Sequence, residues 1–286
     1  MSSTAIVSLF ALLLILAAVV FRVAFWPGIR LAKIQRRAFP DSWMQIVERR
    51  IPFYRSMPAN LRQQLQDLIK VFVSDKNFVG CAGQEINDEI RVTIAAQACL
   101  LLLNRRTDNY QHLDSILVYP STFVARREVR NELGLVSDNH AVLLGESWNQ
   151  GKVILAWDSV EKGVRDLNDG HNVVLHEFAH QLDQESGASN GAPVLKTSGD
   201  YRSWAYVFSS EFEELQEDVV TGKQSLLDHY GATNPAEFFA VATETFFERP
   251  EQMRHGHQEL FAELKKFYQV DPTEWEDEAE CSAGRR

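Results

Sequence analysis

The stretch Val173-Val174-Leu175-His176-Glu177-Phe178-Ala179-His180-Gln181-Leu182-Asp183 decides how the rest of the chain is read. It holds the pattern His-Glu-x-x-His. On a helix, His176 and His180 are one turn apart, so both imidazoles leave the same face and can bind one zinc ion at about 2.0–2.1 Å. Glu177 is turned by about 100° around the axis. Its carboxylate can therefore reach a metal-bound water instead of the metal, which is where a general base belongs. The flanking Val173, Val174, Leu175, Phe178, Ala179 and Leu182 are apolar, so the helix is internal. Burying unpaired polar groups is costly, so His, Glu and His within five positions of an internal helix need partners. One Zn2+ per chain is the expected cofactor.

A catalytic zinc takes three protein ligands and leaves the fourth position to water. The metzincin continuation places a third histidine six residues after His180, and that position is Ser186. The gluzincin pattern takes a glutamate from a later helix. Asn234-Pro235-Ala236-Glu237-Phe238-Phe239-Ala240-Val241-Ala242-Thr243-Glu244-Thr245-Phe246-Phe247-Glu248 supplies one, with Pro235 near the first helical position and Glu237 and Glu244 seven apart on one face. Physics alone leaves Glu237 and Glu244 even as the ligand. The other would suit a hydrogen bond to a ligating imidazole. Tyr230 lies seven residues before Glu237. A phenol there can donate to the oxyanion of a tetrahedral intermediate, although a lone tyrosine is more often a packing residue. His229 is a further potential ligand. His112, His140, His171, His255 and His257 lack ligand spacing to the motif and read as structural or surface residues.

Outward from the motif, the pattern is helices, then strands, then helices, which reads as a mostly helical α+β fold with a small sheet. Helices are expected at 42–50, from Pro58, over 87–104, at 171–183 capped by Asn168-Asp169-Gly170, and at 200–219, 234–248 and 251–268. Strands are expected at 115–120, 141–144 and 153–157, the last two parted by the turn-prone Asn149-Gln150-Gly151. The strand at 153–157 is the expected edge along which an extended peptide would lie. The division is a helical subdomain at 41–112, a catalytic part at 113–272, and a fraying acidic tail at 273–286.

The chain has 286 residues and a formal net charge of −10. An acidic chain repels phosphate backbones, so no direct nucleic-acid partner is expected. Cys81, Cys99 and Cys281 are no disulfide framework. From Ala5 to Trp26 the chain is apolar apart from Arg22, and at 1.5 Å per residue such a helix spans about 33 Å. Arg30, Lys33, Arg36 and Arg37 follow. This predicts a transmembrane anchor at 1–27 and a basic linker at 28–40, with the membrane as a partner. The positive-inside rule then puts the catalytic domain in the cytoplasm. A cleaved signal peptide fits less well, because the start is not basic and no small-residue cleavage site follows.

The combination of His176-Glu177-Phe178-Ala179-His180-Gln181-Leu182-Asp183, Tyr230 and Asn234-Pro235-Ala236-Glu237-Phe238-Phe239-Ala240 resembles the Mlc titration factor A family of glucose-regulated M90 metallopeptidases. Arg91-Val92-Thr93-Ile94-Ala95-Ala96-Gln97-Ala98-Cys99-Leu100-Leu101-Leu102 and Ile116-Leu117-Val118-Tyr119-Pro120 are similar to that family too, and the likeness covers roughly residues 45–270. The family is similar in fold to the anthrax lethal factor catalytic domain. The resemblance implies Glu237 as third ligand, Tyr230 as oxyanion stabiliser and Glu244 as a supporting or structural residue. It also implies aminopeptidase activity on small peptides, and a transcriptional repressor, Mlc, as protein partner. The N-terminal apolar segment departs from the best-known members.

Two functions follow as expectations. One is a zinc peptidase acting on a peptide or protein substrate, with Glu177 as general base. The other is a membrane-tethered binding protein that sequesters a repressor, with peptidase activity secondary. A closed structural zinc site would need four protein ligands, and only three good ones are found.

Overall fold

The computed structural model describes residues 12–17, 19–105, 110–121, 123–130, 136–143, 145–148, 151–165 and 169–275. The first part of the expected anchor, the turn residues Asn149 and Gln150, the expected cap Asn168 and the tail beyond Trp275 lie outside them. The chain forms two compact units, Met1–Pro40 and Asp41–Arg286.

In the first unit, helical turns at 12–17 and 19–20 lead into a π-helical turn, Phe21–Phe25, and helix α1, Trp26–Gln35. Among the described residues no helix is long and apolar enough to cross a membrane. This corrects the expected transmembrane anchor, and with it the membrane localisation and the membrane partner. The physical reason is length first: the π-helical turn has five residues and α1 ten, and α1 also carries Arg30 and Lys33.

The second unit begins with α2, Asp41–Arg50, and α3, Ala59–Asp75, which starts directly after Pro58. Strand β1, Asn77–Gly80, precedes α4, Asp88–Leu100. Asn87 caps α4 by accepting from the Ile90 N–H at 3.0 Å, and Asp88 and Glu89 complement the positive end of the helix. Val92 through Leu100 are all buried, so α4 runs through the core.

The sheet is built from β1, β2 (Ser115–Tyr119), β5 (Gly145–Trp148) and β6 (Lys152–Ala156), in the order β1-β2-β6-β5. Strands β1, β2 and β6 are parallel, with Ile116 opposite Val153, and β5 is antiparallel to β6. A separate antiparallel pair, β3 (Phe123–Arg130) and β4 (Val136–Leu143), lies between β2 and β5 in sequence. The expected edge at 153–157 is corrected. It is β6, paired on both sides, and the edges of the sheet are β1 and β5. The run Val153-Ile154-Leu155-Ala156 is buried throughout without alternation, as in a strand covered on both faces. Trp157 opens helix α5, Trp157–Arg165.

The remaining helices are α6 (Val173–Asp183), α7 (Ser198–Thr221), α8 (Pro235–Glu248), α9 (Pro250–Gly256) and α10 (Gln258–Tyr268). The helix expected at 251–268 is thus two, because His257 leaves the helical region. A 3-10 turn at Pro272–Trp275 closes the unit, and the buried Trp275 ring stacks on Phe53 at 5.7 Å. The chain therefore stays packed past the expected start of the tail.

Helix α6 packs on α8, α4, β5 and β6. Phe178 anchors its inner face, 4.9 Å from the Tyr110 ring and 5.6 Å from Phe72. Trp204, Phe239 and Phe267 lock α7, α8 and α10 together.

Candidate active site

Helix α6 starts at Val173 because Asn172 caps it. The Asn172 side-chain oxygen accepts from the Val174 and Leu175 N–H groups, each at 3.1 Å. Of the cap expected at 168–170, Asp169 and Gly170 instead form a bend ahead of Asn172. There Asp169 accepts from the His171 N–H at 2.9 Å, and Gly170 has φ +78. Helix α8 starts in the same way as α6. Pro235 is at its first turn, and the Asn234 side chain accepts from Ala236 and Glu237 at 3.0 and 3.1 Å. These two caps fix the histidines of α6 against the first turn of α8.

Three donor atoms converge between the helices. His176 Nε2 is 2.9 Å from Glu237 Oε2, His180 Nε2 is 3.3 Å from the same oxygen, and the two Nε2 atoms are 3.2 Å apart. Two ring nitrogens so close cannot both point protons at each other. A tetrahedral ion bound at 2.0–2.1 Å separates its ligand atoms by about 3.3–3.4 Å. The donor set, two imidazoles and a carboxylate, can therefore hold a metal ion.

The charges agree. Burial pushes Glu237 up, but hydrogen bonds with His176 and His180 outweigh it and hold the carboxyl at about 2. Burial pulls His176 down, yet Glu244 and Glu237 on either side raise it well above its ordinary value. The negative field around the imidazole is the field a cation would neutralise.

Glu177 is buried, and its charge acts on both His176 and Tyr230. Tyr230 is 56% exposed, with its ring 6.0 Å from the His176 ring. It rides on the 3-10 turn His229–Thr233, where Asp228 accepts from its N–H at 2.6 Å. Partial burial, with the charges of Glu237 and Glu177, raises its phenol above the usual range, so it keeps its proton at neutral pH. His229 is exposed and outside the donor set. Of the other histidines, His171 faces Asp228 at 3.2 Å and His257 faces Glu211 at 2.6 Å.

Residues 26–269 match the model of the family described as glucose-regulated metallo-peptidase M90. The chain belongs to the M90 family. An uncharacterized protein of Synechocystis sp. is 40% identical over 273 residues, 95% of this chain and 98% of its own length. Mlc titration factor A of Serratia proteamaculans is 32% identical over 225 residues, 78% of this chain and 85% of its own. Mlc titration factor A of Salmonella arizonae is 30% identical over 252 residues, 87% and 98%.

In this M90 chain the two glutamates that spacing left even are separated by place. Glu237 reaches both Nε2 atoms, whereas Glu244 Oε1 lies 2.7 Å from His176 Nδ1. Three neighbours escaped the sequence reading. Asn172 donates its backbone N–H to Glu244 and its side-chain N–H to Glu248 at 2.9 Å. Glu248 is buried and pushed up to about 9, by burial first and then by the charges of Glu244 and Asp169. Asp183 ends α6 and accepts from the Gly191 N–H at 2.8 Å. Asn172 had a signal, a capping residue directly before the apolar run. Glu248 had none, because its partner is 76 residues away.

Proposed function

We propose that this chain is a zinc-dependent peptidase whose metal is held by His176, His180 and Glu237. The observation that carries the reading is the convergence of the three donor atoms at 2.9–3.3 Å, beside the buried Glu177 and with the Tyr230 ring 6.0 Å from the His176 ring. The chemistry that zinc supplies when bound is Lewis acidity toward a carbonyl oxygen and acidification of water. Glu177 takes the proton of the attacking water and passes it to the leaving amine. Tyr230 donates its phenolic proton in a hydrogen bond to the developing oxyanion. Strand β5 lies against α6, and its outer edge offers backbone groups to an extended peptide.

The test is metal content by mass spectrometry on the full chain, for the natural sequence, His176→Ala and Glu237→Ala, with a fluorogenic peptide assay alongside. One zinc per chain, lost in both variants together with chelator-sensitive hydrolysis, is the expected result. Folded natural protein that takes up no zinc would sink the reading.

The names of the Serratia and Salmonella relatives favour a second reading, in which the chain titrates a transcriptional repressor such as Mlc by binding it. Glu177→Gln separates the two, because binding has no need of a general base. Under this second reading the variant still captures the repressor in a pull-down while hydrolysis is lost.

A further inference from the structure

Two carboxylates of α8 and one asparagine meet at the N-terminus of α6. Glu244 touches two partners at once: one oxygen lies 2.7 Å from His176 Nδ1, and the other accepts the backbone N–H of Asn172. Asn172 caps α6 with its side-chain oxygen and donates its side-chain N–H to Glu248 Oε1 at 2.9 Å. Glu244 and Glu248 are one turn apart on α8, and Glu237 is two turns before Glu244. One face of one helix therefore supplies the third donor of the site, the acceptor for the far nitrogen of His176, and the grip on the start of the helix that carries both histidines.

We infer that Glu244 is a positioning residue for His176, acting together with Asn172 and Glu248 as a clamp. This rests on the reading that His176, His180 and Glu237 hold a metal. An imidazole that ligates through Nε2 must carry its proton on Nδ1, and an acceptor there fixes both the tautomer and the rotation of the ring. Glu244 supplies that acceptor. Because its second oxygen holds the Asn172 N–H, the ring cannot turn without disturbing the cap, and the cap cannot slip without releasing the ring. His180 has no such support: its Nδ1 is buried without a hydrogen-bond partner among the described residues. The clamp thus acts on one histidine of the pair.

The test uses the full chain in three forms: the natural sequence, Glu244→Gln and Glu244→Ala. Zinc affinity is measured by competition with a chromophoric chelator. The Co(II)-loaded proteins are compared by the paramagnetically shifted imidazole N–H resonances of their histidines. Removing such a supporting partner weakens metal binding by about 10–100-fold. Glu244→Ala is expected in that range, with one of the two N–H resonances lost to fast exchange. Glu244→Gln is expected to lose less, because its single carbonyl oxygen can keep one of the two hydrogen bonds. If Glu244→Ala fails to fold, Glu244→Gln, which keeps the shape of the side chain, decides. Natural affinity and both resonances retained in a folded variant would overturn the positioning role, even if the metal-free protein unfolds more easily. If the natural chain itself binds no zinc, the reading beneath falls and this inference falls with it.

Discussion

A methyl group placed on Gly191 would stand 2.2 Å from the carbonyl oxygen of Pro235. Gly191 also sits at φ +75, its N–H donates to Asp183 at 2.8 Å, and its carbonyl accepts from Trp204 Nε1 at 2.9 Å. The loop is strung between the last residue of α6 and the first of α8, at the opposite end of both helices from Asn172. Gly191→Ala must either move the Pro235 backbone or break the Asp183 contact, and it adds the left-handed penalty of about 1 kcal/mol. The expected cost is more than about 2 kcal/mol in urea unfolding of the chelator-treated chain. Zinc affinity should fall as well, because Glu237 is two residues from Pro235. An unchanged unfolding midpoint would show that the close approach is not rigid.

Glu177→Gln keeps the volume of the side chain and removes its basicity. General-base catalysis contributes about 10²–10⁴-fold, so peptide hydrolysis should fall by that factor. Zinc content should stay at the natural level, because Glu177 lies outside the donor set. A variant that keeps half its turnover would place the base elsewhere.

Tyr230→Phe separates chemistry from stability. The ring is more exposed than buried, so unfolding should shift by less than about 0.5 kcal/mol. The loss of one oxyanion donor should lower kcat about 10²–10³-fold with little change in KM. A rise in KM at constant kcat would make Tyr230 a contact for bound substrate instead.

The site was legible wherever one helix carries its own chemistry. His176, Glu177 and His180 are set by a single-turn spacing, and the structure brings His176 and His180 together with Glu237. The choice between Glu237 and Glu244 was not legible from spacing, since both lie on the inner face. It depends on how far along α8 each crosses α6. The resemblance, not the pattern, pointed to Glu237. The strands show the same limit. A continuous apolar run, Val153–Ala156, marks a buried strand but not its neighbours, and so β6 was taken for the edge that β5 provides. The N-terminal run shows a third limit: hydropathy read across Arg22 to Trp26 counts one apolar segment, whereas the described backbone changes to a π-helical turn at Phe21.

Glu248 gives the fold a pH dependence whose sign can be worked out. Its carboxyl has an ordinary value of 4.5 and is pushed up to about 9 in the folded chain, first by burial. Between those values the folded protein holds a proton that the unfolded chain has released. Stability therefore falls as pH rises from 4.5 toward 9, and the loss is complete above the folded value. Glu248→Gln has no proton to lose. Its amide carbonyl can still accept from the Asn172 side chain, so the clamp on α6 survives. In urea unfolding of the metal-free chain, the variant and the natural protein should be close at pH 5. At pH 8 the variant should be the more stable, by on the order of a few kcal/mol. Parallel stability curves across that range would mean that Glu248 is already ionised in the folded protein. Its pairing with Asn172 would then be a bond to a carboxylate.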